Sequence, residues 1–294
     1  MEFGRLMTAM LTPFTSQGDI DEGEVKRLVT HLIATGTDTI VVGGTTGESP
    51  TLTADERTGL IKVVKATAAG KAKVIAGTGT NSTRDTIANS KEAVQAGADG
   101  LMVVTPYYNK PPQDSLYEHY AAIAREVDIP TLIYNVPGRT ACNILPRTLA
   151  KLATIDVFFG VKEASGSLDQ VSEIIRTVPE RFLVYSGDDS LTLPMMAVGA
   201  VGVVSVCSHI VGAEMKQMIE YFVSGNTRRA TKAHLDLMPV FKALFVTTSP
   251  IPLKWAMNHL GLPAGNLRAP LFAMGAAEEE VVLDALRLLG KVTS

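Results

Sequence analysis

A chain of 294 residues exceeds a minimal domain and falls short of two ordinary ones, a length that α/β barrels fill as a single unit. With 46% hydrophobic and 19% charged residues it can bury a large core, which excludes a disordered segment. Lys and Arg number 27 against 30 Asp and Glu, without a basic stripe, so the charge pattern speaks against a nucleic-acid partner.

The apolar stretch 6–11 is too brief for a signal-peptide core and lacks a small-residue cleavage site after it, so it is read as a first strand. After Asp21, the residues Val25, Leu28, Val29, Leu32 and Ile33 recur at helical spacing, and Gly36 stops that helix. Further strand-length runs follow at 39–42, 73–76, 101–104, 131–134, 157–161, 182–185 and 202–206. They are rich in Val and Ile and mostly continuous, the pattern of strands covered on both faces. Between them, Thr53 with Glu56, Ser115 with Glu118 and Ser167 with Gln170 fit capping boxes, and Pro146 fits a helix's first turn. Segment 190–213 has no charged residue, but Pro194, Gly199, Gly202 and Gly212 interrupt it. It reads as a short helix and a buried strand, not a membrane span. Beyond Gly225 the strand signal stops, and helical patterns continue through 235–245, 253–260 and 281–289.

Eight strands with intervening helices predict an α/β fold, a (β/α)8 TIM barrel over residues 1–224, with a small C-terminal helical domain over 225–294. A doubly wound sheet is the main competitor; it usually carries fewer parallel strands, and no G-x-G-x-x-G opens the first helix. The expected setting is soluble and cytoplasmic, without a membrane partner.

Barrel enzymes place their chemistry at the C-terminal ends of strands. The sixth run leads into Lys162, after Val157-Phe158-Phe159-Gly160-Val161. Desolvation there disfavours a charged amine and makes the neutral nucleophile accessible near neutral pH, the form that attacks a ketone to give a Schiff base. The alternative is a structural lysine paired to a carboxylate; Glu163 suits that poorly, because adjacent strand residues point to opposite faces. Tyr134, ending the fifth run, can approach Lys162 and relay protons, or be a core tyrosine bonded to backbone. Arg139 suits a bidentate grip on a carboxylate, or is a solvated surface arginine. The loop Gly44-Thr45-Thr46-Gly47-Glu48-Ser49 offers amides and hydroxyls at a helix start for an anionic group, or is a plain strand-to-helix turn. The tandem Tyr107-Tyr108 is of the kind that marks subunit contacts. No metal site is expected: the five histidines have no ligand spacing, His31 and His119 are read as solvated or capping, and His209 is given no role. Cys142 and Cys207 are read as small buried hydrophobes.

Lys162, Tyr134 and the Gly-Thr-Thr-Gly-Glu loop, in this order and spacing, resemble the dihydrodipicolinate synthase (4-hydroxy-tetrahydrodipicolinate synthase) family of Schiff-base aldolases and lyases. The likeness runs from Leu11-Thr12-Pro13-Phe14 to Pro250-Ile251-Pro252-Leu253-Lys254-Trp255. It implies condensation of pyruvate with L-aspartate 4-semialdehyde in lysine and diaminopimelate biosynthesis, without cofactor or metal. It further implies Lys162 as the Schiff-base lysine and Tyr134 as proton donor and acceptor, with Thr45 linking Tyr134 to Tyr108 of an adjacent subunit. Thr46 and the backbone at Val204 then bind pyruvate, and Arg139 holds the semialdehyde carboxylate. A relay shared between subunits implies a dimer at least and commonly a homotetramer, a dimer of dimers.

Ser49, Asn81 and Tyr107 match the lysine-inhibition site of some family members, whereas Pro50, Ala54, Arg57 and Asp85 depart from it, so feedback inhibition is expected to be weak or absent. The nearest rivals are N-acetylneuraminate lyase and 2-keto-3-deoxy-sugar acid aldolase activities on the same scaffold, which share the lysine and tyrosine. Arg139, the Thr45-Thr46 pair and the Tyr107-Tyr108 tandem favour the synthase. A catalytically silent barrel with a binding or regulatory role ranks lowest, because it predicts the loss of Lys162, Tyr134 or Thr45.

Overall fold

Eight strands close into a parallel barrel in chain order in the computed structural model, which describes residues 2–292. They are β1 (Leu6–Ala9), β2 (Thr39–Val42), β3 (Lys73–Gly77), β4 (Gly100–Val104), β5 (Thr131–Asn135), β6 (Phe158–Glu163), β7 (Leu183–Ser186) and β8 (Gly202–Ser205). Every residue of β1, β2, β5 and β8 is buried, as their unbroken apolar runs require. The α-helices of the described residues are α1 (Glu22–Ala34), α2 (Ala54–Ala68), α3 (Thr83–Gln95), α4 (Gln113–Glu126), α5 (Pro137–Thr140) and α6 (Pro146–Leu152). There follow α7 (Leu168–Thr177), α8 (Thr192–Ala197), α9 (Ser208–Val223), α10 (Thr227–Ala243), α11 (Ile251–His259) and α12 (Ala276–Leu288). The TIM barrel expected from the sequence is the fold observed, with helices following its last strand. No helix among the described residues is long and apolar enough to cross a membrane.

The chain packs as two units, one of residues up to Lys73 with those from Ser205 onward, the other of Val74–Val204. In the first, α1 packs on α2 through an apolar face that includes Val25, Leu28, Val29 and Leu32. Asp21 caps α1 by accepting the Glu24 N–H at 3.0 Å. Thr53 and Glu56 form the full reciprocal capping box of α2. Helix α9 packs on β1, where the Thr8 and Ser208 hydroxyls meet at 2.8 Å, and α12 packs on both α10 and α11. In the second unit, α3, α4, α6 and α7 pack in series, over a core that includes Leu116, Tyr120, Leu149, Phe158 and Ile174.

Three local expectations need correction. Ser115 does not start a helix: α4 begins at Gln113 behind Pro112, so Ser115 already lies inside it and cannot cap. Ser167 does cap α7, but the Gln170 side chain turns away to Asn143 and Glu163, leaving half a box. His119 is buried, not solvated; its Nδ1 lies 2.9 Å from the Thr83 hydroxyl. His31 is half-buried and donates from Nε2 to the His209 carbonyl at 2.8 Å. His209 is a core residue, donating from Nδ1 to Val206 O at 2.8 Å and accepting the Leu11 N–H on Nε2 at 3.2 Å.

Burial pushes both His119 and His209 from 6.5 down to about 4, so each ring is neutral in the fold. Unfolding restores the ordinary value, and the unfolded chain then binds more protons between about 4 and 6.5. Their contribution to stability is complete above 6.5 and is lost as pH falls through that window. The melting temperature should therefore drop as pH is lowered across it, and His119→Gln, which removes one titrating ring, should make the decline shallower. An unaltered slope in that variant would remove His119 from the account.

Candidate active site

Strand β6 runs past its apolar stretch, so Lys162 and Glu163 are both strand residues and face opposite ways. Lys162 pairs in register with Tyr134 of β5 and Tyr185 of β7, and Glu163 with Asn135 and Ser186. The carboxylate of Glu163 is fully engaged. Its Oε1 accepts the Ser165 N–H at 2.7 Å, and its Oε2 accepts Asn135 Nδ2 at 2.9 Å and Gln170 Nε2 at 3.3 Å. Asn143 closes this network, accepting from Asn135 at 2.8 Å and donating to Gln170 at 2.9 Å.

On the other face, Lys162 is 5% exposed, and its Nζ lies 4.2 Å from the centroid of the Tyr134 ring. That distance makes a cation–π contact with the charged amine and places the phenol beside the neutral one. Among the described residues no carboxylate pairs with Lys162. The lysine has room because residue 187 is glycine: a Cβ there would come within 2.6 Å of Ala164 Cβ and 3.2 Å of Lys162 Cε. Tyr134 is also 5% exposed, and its hydroxyl takes no hydrogen bond among the described residues. Tyr120 shows the contrast: fully buried, it donates to Val103 O at 3.1 Å, as a core tyrosine does.

The loops after β4 and β5 are tied together by the Tyr108 N–H, which donates to Thr140 O at 3.4 Å, next to Arg139 on α5. The Arg139 side chain is exposed and makes no ion pair or hydrogen bond among the described residues. Tyr107 is 39% exposed and Tyr108 87%, the latter at φ 73°, a left-handed conformation that disfavours a residue with a Cβ. Val204 is buried on β8.

Thr45 and Thr46 belong to the first unit, on the loop after β2, with Thr46 buried and Thr45 half-buried. This loop does not open a helix as expected. Gly47 and Ser49 donate to Gly44 O and Glu48 donates to Thr45 O, so those three amides are consumed by turns. A short 3-10 turn, Ser49–Thr51, follows, and α2 starts only after its own cap at Thr53. The two hydroxyls and the Thr45 and Thr46 amides, which take no hydrogen bond among the described residues, are what the loop offers a ligand, rather than a helix terminus.

Lys162 thus lies beside Tyr134 as expected, whereas the Glu163–Asn135–Asn143–Gln170 network is not among the expectations from sequence. Its signal was present: Asn135 and Glu163 follow the tyrosine and the lysine by one residue each, so pairing one couple in register pairs the other. Among the described residues no group of three or more His, Cys, Asp or Glu side chains could hold a metal ion.

The chain matches the dihydrodipicolinate synthetase family over residues 2–288. A 4-hydroxy-tetrahydrodipicolinate synthase of Cyanothece sp. is 52% identical over 288 residues, covering 98% of each chain. The crystal structure of a dihydrodipicolinate synthase from Cyanidioschyzon merolae with lysine bound superposes with a TM-score of 0.97 at 45% identity, over 99% of each chain. A dihydrodipicolinate synthase from Aquifex aeolicus gives 0.95 at 44% identity, over 98% of each.

Replacing Glu163 by Gln sets an amide N–H against groups that are already donors. Glu163→Gln should lower unfolding stability by about 1–3 kcal/mol, read from urea titration, and an unshifted midpoint would show the network to be dispensable.

Proposed function

The chain belongs to the dihydrodipicolinate synthetase family, and from that premise we propose that it condenses pyruvate with L-aspartate 4-semialdehyde through a Schiff base on Lys162. This reaction is the first committed step of lysine and diaminopimelate biosynthesis. One observation carries the reading: a buried amine that has no carboxylate partner among the described residues lies 4.2 Å from the ring of a tyrosine whose hydroxyl takes no hydrogen bond among them.

The chemistry follows from those groups. The neutral Lys162 amine attacks the ketone carbon of pyruvate, and loss of water leaves an iminium. The iminium draws electrons, so the pyruvate methyl gives up a proton and becomes an enamine carbon nucleophile. That carbon attacks the aldehyde, forming the carbon–carbon bond. The amine of the former semialdehyde then attacks the imine carbon, closes the ring and expels Lys162. Protons must be delivered and removed at each stage, and Tyr134 is the group beside the reacting nitrogen that can do both. The electron sink is the lysine adduct itself, so the reaction calls for no separate cofactor.

For the remaining residues the reading rests on family likeness. Thr45 carries protons between Tyr134 and Tyr108, Thr46 and the Val204 backbone hold pyruvate, and Arg139 takes the semialdehyde carboxylate. The guanidinium of Arg139, exposed and without a partner among the described residues, supports its part, since it can form a bidentate contact. Tyr108, uncovered and at a positive φ in the single chain, supports a second copy of the chain closing over it. A dimer at least, arranged in pairs as a homotetramer, is the assembly we propose. Cys142 and Cys207, both buried and neither joined in a disulfide among the described residues, are in keeping with a reducing cytoplasm.

Borohydride reduction in the presence of pyruvate should add a pyruvyl mass to the peptide carrying Lys162, and Lys162→Ala should gain none. A wild-type protein that stays unmodified defeats the proposal. Tyr134→Phe should retain the fold and lose about 10²–10⁴ in kcat, the usual worth of a positioned proton donor. Free lysine should inhibit weakly or not at all, and half-inhibition at micromolar lysine would contradict this.

A further inference from the structure

The loop carrying Thr45 and Thr46 ends in an arrangement that its turn geometry does not explain. Glu48 has φ 54°, a left-handed conformation costly for a residue with a Cβ, and its side chain is 1% exposed. Its Oε1 forms an ion pair at 2.6 Å with Lys254 of α11, whose side chain is 2% exposed. Its Oε2 accepts the Arg268 N–H at 2.9 Å. Lys254 also donates to Thr12 O at 2.7 Å and Asn266 O at 2.5 Å, and its Nζ lies 4.5 Å from the Phe14 ring centroid. Thr12 in turn donates from its hydroxyl to Gly47 O at 2.7 Å, so the cluster grips the loop through both Gly47 and Glu48.

A buried ion pair contributes little to stability on its own, because desolvating the two charges offsets most of their attraction. Apolar residues of the same volume would hold the tail at least as well. Burial in fact lowers Lys254 to about 8, with the Glu48 carboxylate opposing that shift. What the charged pair supplies, and an apolar pair does not, is a fixed direction: the carboxylate satisfies one orientation of the ammonium and one backbone N–H at once.

We infer that Glu48 and Lys254 are positioning residues, an internal clamp that holds the Thr45-Thr46 hydroxyls in their working orientation by anchoring the loop to the helical tail. The inference rests on the reading that those hydroxyls serve the condensation. It places a determinant of turnover in α11, which contributes no group to the reaction.

The test compares wild type, Glu48→Gln, and the double variant Glu48→Gln with Lys254→Met, which buries no unpaired charge. Each is assayed below its melting temperature, with kcat and the pyruvate KM expressed per site that borohydride and pyruvate can label. Misplacing a positioning group by about an ångström is worth up to about 100-fold, so both variants should lose about 10- to 100-fold in kcat/KM. The double variant should recover most of the melting temperature lost by Glu48→Gln without recovering the rate. If Glu48→Gln does not fold, the double variant alone carries the comparison. Per-site kcat and KM within twofold of wild type, with only the melting temperature changed, would overturn the clamp. Failure of wild type to label at all would instead overturn the reading of Lys162.

Discussion

The alternation of side chains along one short strand governs the chemistry open to this protein. Lys162 and Glu163 are neighbours in sequence, and on almost any other backbone they would neutralise each other or share solvent. On β6 they face opposite ways, and the carboxylate is spent on Ser165, Asn135 and Gln170, while the ammonium is left with the Tyr134 ring. Slipping the register by a single residue would exchange these two environments, placing a carboxylate beside the Tyr134 ring where the amine now lies. The Glu163 network does more than bind a charge. By fixing Asn135 against Glu163 it fixes the pairing of β5 with β6, and with it Tyr134 against Lys162.

Much of this order can be read from the amino-acid sequence, because burial on both faces leaves an unmistakable mark. Unbroken Val- and Ile-rich runs announce the strands, and the reciprocal Thr53–Glu56 pair announces α2 to the residue. Where local signals mislead, a stronger constraint has intervened. Pro112 sets the start of α4 before Ser115 can act as a cap. Gln170 has the right spacing to close its own helix, yet it serves Asn143 and Glu163, whose demand for partners inside the fold is greater. His119 is polar and helical, and only packing shows that its face of α4 is covered.

The same distinction divides the candidate site. Lys162 and Tyr134 end successive runs, so adjacency in the barrel follows from adjacency in strand order. The contacts of Glu48 obey no such rule, because its partners lie in the tail. Thr12 and Lys254 stand 242 positions apart, and no periodicity or motif connects them. Nor does a glycine-rich turn reveal whether its amides are free; here Gly47, Glu48 and Ser49 have used theirs within the loop.

One unit of the molecule joins residues up to Lys73 with those from Ser205 onward, and this has a bearing on how it is made. Thr8 meets Ser208 across a separation of 200 positions, and the Leu11 amide finds its acceptor on His209. During synthesis the opening strand emerges long before those companions exist, whereas residues of Val74–Val204 find most of their neighbours within their own stretch. Strand β1 can pair with β2 early, but the Thr8 hydroxyl and the Leu11 amide wait for α9, some 200 positions later in synthesis, before these partners reach them.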